Sequence, residues 1–148
     1  MIEYTVEVYA DGDKFWYLNG KRHREDGPAI EDTDGDKYWY LNGKRHREDG
    51  PAIEWADGYK AWHLKGKRHR EDGPAIEDTD GDKYWYLNGK LHREDGPAIE
   101  YADGDKFWGL NGEEVTEEEH KVAMNPTVEE MTTEEICKAL GKNVKVIK

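Results

Sequence analysis

The segment His-Arg-Glu-Asp-Gly-Pro-Ala-Ile-Glu occurs four times, starting at His23, His46, His69 and His92, a constant spacing of 23 residues. Trp16, Trp39, Trp62, Trp85 and Trp108 keep the same interval, as do Leu18, Leu41, Leu64, Leu87 and Leu110. A fixed period of this length marks an array, in which each unit is one supersecondary motif that buries its apolar side only by stacking on its neighbours. Such a repeat constrains shape far more than chemistry. It offers a surface rather than an active site.

Hydrophobic residues make up 35% of the chain and charged residues 38%, which by itself leans towards disorder. Six Trp and nine Tyr on a fixed register point the other way, because each buried aromatic brings a large apolar area. The net charge of -12 opposes direct binding to nucleic-acid backbone or to an anionic membrane, and leaves a basic partner open. Met1-Ile2-Glu3-Tyr4 has neither the basic nor the apolar region of a signal peptide, and no run approaches the ~20 apolar residues of a membrane span. Cys137 is the single cysteine, which excludes an intramolecular disulfide. The expectation is a cytoplasmic protein.

Two turn signals recur in each unit, Asp34-Gly35 and Asn42-Gly43 in the second. Either dipeptide between alternating residues predicts a β-hairpin with a two-residue type I′ turn. Read so, Asp34-Gly35 pairs Ile30 with Trp39, Pro28 with Leu41 and Glu31 with Tyr38. Ile30, Trp39 and Leu41 then share the core face, with Ala29, Glu31, Tyr38 and Tyr40 opposite. Asn42-Gly43 sets His46 against Trp39 on that core face. Seven residues separate His46 from Ile53, so plain alternation places Ile53 on the wrong side. A bulge or corner at Glu48-Asp49-Gly50-Pro51, with Gly50 (and Gly73 in the next copy) free to take positive φ, would absorb the odd residue.

The resulting fold class is mainly β: an elongated antiparallel hairpin array of about five units over residues 1–112. A closed barrel is the less favoured alternative. Residues 1–8 form a lead-in strand in which Glu7 holds the slot of Ile30 and Ile53, so this strand is either shifted by one or capping differently. Residues 113–148 read as a helix-helix-strand cap. Thr116 and Glu119 form a capping box, Asn125-Pro126 stops that helix, Thr132 to Glu135 carries a second box, and Val144 and Val146 alternate in a closing strand.

Tyr84-Trp85-Tyr86-Leu87-Asn88-Gly89-Lys90-Leu91-His92, followed by Glu100-Tyr101-Ala102-Asp103-Gly104-Asp105, resembles MORN-type repeats, in particular their divergent bacterial and viral variants. The likeness covers roughly residues 4–112. Here Arg-Glu-Asp stands between the His and the Gly that adjoin in MORN units, and the acidic charge opposes the membrane association of some relatives. The ending Met-Thr-Thr-Glu-Glu-Ile is similar to those of small phage proteins. The resemblance implies a scaffold or adaptor rather than an enzyme.

Three features invite a chemical role and admit a plainer one. Histidines one unit apart lie about 9–10 Å from each other by strand spacing, too far to share a zinc ion. They read as rings packed by Trp and hydrogen-bonded into the loop. Asp32-Thr33-Asp34-Gly35-Asp36 opens like a calcium loop, but its Gly is fourth rather than sixth and Gly43 stands where the twelfth-position Glu belongs. Glu48 and Asp49 appear in four copies beside an arginine, as a solvated cross-repeat charge rib does, whereas a catalytic pair occurs once. No metal, cofactor or catalytic residue is predicted.

The aromatic face opposite the predicted core is the candidate site: Phe15, Tyr17, Tyr38, Tyr40, Tyr59, His63, Tyr84, Tyr86 and Phe107. The third unit departs from the pattern there, with Ala61 opening a notch that Tyr59 is placed to fill. The leading functional expectation is a non-enzymatic scaffold that binds a protein through this face. The alternative is an acidic, phage-encoded inhibitor that blocks a host defence protein by charge mimicry, acting in the host cytoplasm. Interleaved Lys and Arg, giving mixed ribs, weigh against it. A small-molecule sponge is the third and weakest reading.

Overall fold

A computed structural model describes residues 3–126. The chain is mainly β, with repeated antiparallel hairpins laid side by side in one 12-stranded sheet. The sheet starts at β1 (Tyr4–Val8), continues through β2 (Lys14–Leu18), and then takes two short strands from each unit, such as Ile30–Glu31 and Lys37–Tyr38. It ends at Lys106–Leu110 and Glu113–Val115. Among the described residues the first and last strands do not meet, so the sheet is open and the barrel alternative falls.

The two turns differ in kind. Asn42 and Gly43 both take positive φ, 52° and 79°, as a type I′ turn requires. At the other turn only Gly35 is positive, at 97°. The Asp32 amide donates to the Asp36 carbonyl and the Gly35 amide to the Asp32 carbonyl. This is a three-residue loop, a type I turn closed by a glycine bulge. The Asp32 carboxylate supports it here by accepting from the amides of Asp34 and Asp36 at 3.1 and 2.9 Å. The same loop closes where Trp55 or Tyr101 stands at that position.

That choice shifts the register by one residue, which turns every side chain to the other face. Ile30 therefore pairs with Tyr38, not Trp39, and Glu31 pairs with Lys37. The expected faces are thus reversed for the isoleucines. Phe15, Ile30, Tyr38, Ile53, Ala61, Ile76, Tyr84, Ile99 and Phe107 form one continuous cross-strand row. Glu7, opposite Phe15, begins the row in the slot of Ile30, so β1 caps the array without a shift. Ile53 and His46 now belong on opposite faces, so no residue needs absorbing between them. Gly50 and Gly73 accordingly do not take positive φ.

The buried centre consists of Ile53, Ala61 and Ile76, flanked by Tyr38, Tyr59, Tyr84 and Tyr86. Ala29, Ala52, Ala75 and Ala98 have no exposed surface. At each Trp the long arm passes from this sheet into a second, shorter hairpin. The Trp39 amide donates to the Ala52 carbonyl, and its own carbonyl accepts from the His46 amide. Successive second hairpins are linked by Arg24 N–H to Tyr40 O and Gly43 N–H to Arg22 O, and by their equivalents down the chain.

Helix α1 (Glu117–Met124) is capped as expected, with Thr116 and Glu119 bonded reciprocally and Asn125 at its end. Its one buried residue, His120, packs on Trp108 at 4.7 Å and lies 2.7 Å from the Arg93 carbonyl. The second helix and closing strand expected from Thr132 to Val146 fall outside the described residues.

Candidate interaction surfaces

On the Trp side, the four Arg-Glu-Asp-Gly-Pro loops share one construction. Arg47 donates to Asp49 at 2.8 Å, to the Pro51 carbonyl at 3.2 Å and to Glu54 at 2.8 Å. Its guanidinium lies 4.0 Å from the centre of the Trp39 ring. Arg24, Arg70 and Arg93 repeat this on Trp16, Trp62 and Trp85 at 4.2, 3.9 and 3.9 Å. The arginine is a plug that closes its own loop. A Cβ on Gly27, Gly50, Gly73 or Gly96 would stand 2.9 Å from the plug's Cζ, so a side chain there would push the guanidinium from its place. The ion pairs lie within a unit rather than across repeats, contrary to the expected rib. Arg47, Arg70 and Arg93 also hold their neighbouring aspartates, Asp49, Asp72 and Asp95, below the usual carboxylate range.

The last unit lacks such a plug, and His120 from α1 takes the place over Trp108. Between successive loops run open grooves of 740, 690 and 640 Å³, floored by Trp39, Trp62 and Trp85. The groove at Trp16 is smaller, 400 Å³, and is walled by Tyr4 and Val6 where the others have a preceding loop.

The histidines join units. Nδ1 of His46, His69 and His92 accepts the amide of Lys65, Asn88 and Asn111 in the following unit's turn, each at 3.0 Å, and His23 holds Asn42 likewise. A nitrogen that accepts a backbone N–H carries no proton, so the neutral ring makes this link. The aspartates of the other turn do similar work: Asp36 accepts from Ala56 N–H and Asp82 from Ala102 N–H, both at 2.8 Å. Among the described residues, no group of three or more His, Cys, Asp or Glu is placed to hold a metal ion.

One mixed rib crosses the sheet as expected, Lys14, Glu31, Lys37, Glu54, Lys60, Glu77, Lys83, Glu100 and Lys106 alternating strand by strand. The Asp-Gly turns lie at one end of the strands and the Asn-Gly turns at the other, and the two ends differ in charge. From Tyr40 to His46 the chain carries Lys44 and Arg45 and no acidic residue, residues 17–23 and 63–69 are alike, and residues 86–92 carry Lys90 alone and no acidic residue. Asp32, Asp34 and Asp36 crowd the opposite edge.

Of the predicted contact residues, Phe15, Tyr17, Tyr38, Tyr40, Tyr59, Tyr84 and Tyr86 are half-buried along the isoleucine row. Phe107 is exposed and His63 is buried. Burial pushes the Tyr84 phenol up to about 12 and the His63 imidazole down to about 4. The Nδ1 of His63 is buried without a partner. Tyr59 fills the Ala61 notch. Sequence reasoning missed Tyr9, Trp55 and Tyr101, which stand where the second and fourth units have Asp32 and Asp78. They build three clusters on this face: Tyr9 on Phe15 at 5.2 Å, Trp55 on Tyr59 at 4.4 Å, and Tyr101 between Tyr84 and Phe107 at 6.0 and 5.7 Å. The signal was the replacement of a turn aspartate by an aromatic in alternate units.

No protein-family model matches the chain, and no curated protein is similar to it. No described helix is long and apolar enough to cross a membrane.

Proposed function

We propose that the protein is a non-enzymatic scaffold that grips an extended segment of a protein partner along the aromatic face. This is the role the likeness to MORN-type repeats suggests. The observation that carries it is the spacing of the three clusters. Their most exposed members are Tyr9 at 54%, Trp55 at 39% and Phe107 at 38%. Equivalent clusters recur every second unit, four strands apart or about 19 Å. Contacts at that interval suit one extended segment, each later contact forming at high effective concentration. Large aromatics with a partly free face are the side chains that anchor interfaces.

The test is capture of partners from a lysate by wild type and by a Trp55→Ser/Phe107→Ser variant, with folding monitored in parallel by circular dichroism. A partner lost from the folded variant, yet retained by wild type at high salt, supports the aromatic face. The charge-mimic reading rests on the exposed carboxylates of Glu25, Glu48, Glu71 and Glu94, one per unit. It requires the opposite result: a partner indifferent to the aromatic variant and released at moderate salt.

A further inference from the structure

The two ends of the sheet are finished differently. At the far end, Glu113–Val115 carries two glutamates and α1 packs against the adjoining strand Lys106–Leu110. At the near end, among the described residues, β1 pairs with β2 alone, and all five of its residues are exposed. Val6 is 47% and Val8 65% exposed. One charge, Glu7, sits on this strand in the isoleucine slot, but no lysine, proline or bulge guards the edge, devices by which natural sheets discourage pairing with another strand.

The hydrogen-bond parity of β1 is readable from its neighbours. The Tyr9 amide donates inward to Asp13, and Trp16, opposite Val6, sends its amide away to Ala29. Alternation therefore aims the N–H and C=O of Tyr4, Val6 and Val8 outward, unpaired among the described residues. Their side chains share one face, beside the smaller groove at Trp16.

We propose that β1 pairs antiparallel with β1 of a second copy of this chain, about a two-fold axis at Val6. That register is self-complementary. Val6 meets Val6 of the second copy in a hydrogen-bonded pair, Tyr4 meets Val8, and Thr5 meets Glu7, so no like charges are opposed. Three outward-facing residues per strand give six backbone hydrogen bonds. Tyr4, Val6 and Val8 of both copies merge into one apolar strip. The contact is isologous and closes at two. Five residues make a small interface, so the dimer forms at the weak end, with Kd on the order of 100 μM.

The experiment combines sedimentation with cross-linking, on the full chain. Wild type is expected to move from 17.2 kDa towards twice that mass as concentration rises through the high micromolar range. Val6→Lys, which opposes two cations on the axis, weakens association at least tenfold while the near-ultraviolet signal of the tryptophans stays unchanged. In a Cys137→Ser background, V6C oxidises to a covalent dimer, because the axis sets position 6 against itself within disulfide range. V8C, opposite Tyr4, does so far more slowly. The proposal is overturned by a wild type that stays monomeric with no V6C cross-link, which includes occupation of the edge by the chain's own tail. Equal cross-linking at positions 6 and 8, association beyond the dimer, or a dimer indifferent to Val6→Lys overturns it too.

Discussion

The Trp side and the Tyr side of the sheet come from the same strands, yet one is constant and the other varies. Every plugged loop on the Trp side repeats the same arginine, aspartate, proline carbonyl and glutamate within a few tenths of an ångström. On the Tyr side, position 38 becomes Ala61 in the third unit, position 40 becomes His63 and then Gly109, and position 32 alternates between Asp and an aromatic. A loop held by one side chain through three charge-assisted contacts has no tolerance for change. A row of partly buried aromatics can trade one ring for another nearby. The plugged loops are fixed on one side, and on the other the constant isoleucines hold the buried centre while the aromatic positions around them are free to differ.

Breaking the constant side should cost most. Gly73→Val brings a Cβ to 2.9 Å from Arg70 Cζ and expels the plug. Losing its hydrogen bonds and its stack on Trp62 should destabilise by about 3–5 kcal/mol, read by denaturant titration of tryptophan fluorescence. Tyr40→Ser, on the varying side, should cost about half as much or less. Equal costs would erase the distinction between the sides.

The varying side has its own sensitive point in His63. Its folded pKa of about 4 lies below the ordinary imidazole value of 6.5, because burial disfavours the charged ring. Above pH 6.5 the ring is neutral in both states and contributes nothing. As pH falls from 6.5 to about 4 the unfolded chain takes up the proton first, so stability drops, by about 3 kcal/mol in full. His63→Tyr, the residue found at Tyr40 and Tyr86, should remove that part of the pH dependence. Unfolding midpoints of the two proteins at pH 7 and pH 4.5 give the comparison, and parallel curves would place the effect elsewhere.

Smaller effects test the joints between units. Asp82→Ala removes the link to Ala102 N–H and should cost about 1 kcal/mol. Tyr59 stands at the equivalent position in the third unit and cannot make that link. Lys65, at φ 52°, occupies a left-handed position that Asn holds in the other units. Lys65→Asn should therefore stabilise by about 0.5–1 kcal/mol, seen as a raised melting temperature.

The hairpin array, the open sheet's repeat and the first capping box were legible because period, Asn-Gly and Thr-x-x-Glu act through local chemistry. The face of each isoleucine was not. It turns on whether Asp34-Gly35 closes a two- or a three-residue loop. The three-residue loop also closes with Trp55 or Tyr101 at its start, so that position does not decide it. An aspartate accepting from the loop's closing amide, Asp32 in one loop and Asp57 in the next, is one acceptor, and the reach of Asp36 to Ala56 in the next unit is a second. That second acceptor exists only once the units are stacked. The glycine of the plugged loop was likewise noticed for the wrong reason. Its constraint is the volume of an arginine three residues back, which no turn rule contains.

Because aromatic clusters occupy alternate units, the chain counts in pairs: its true modulus is 46 residues, not 23. Excising one unit would leave every loop plugged but bring two clusters, or two aspartate turns, side by side. Excising two would restore the phase and shorten the molecule by one whole tick, about 19 Å. Variants built on that arithmetic would have the same chemistry at each mark and differ only in how many marks they carry. A bound segment would then be gauged by its length, as by a ruler.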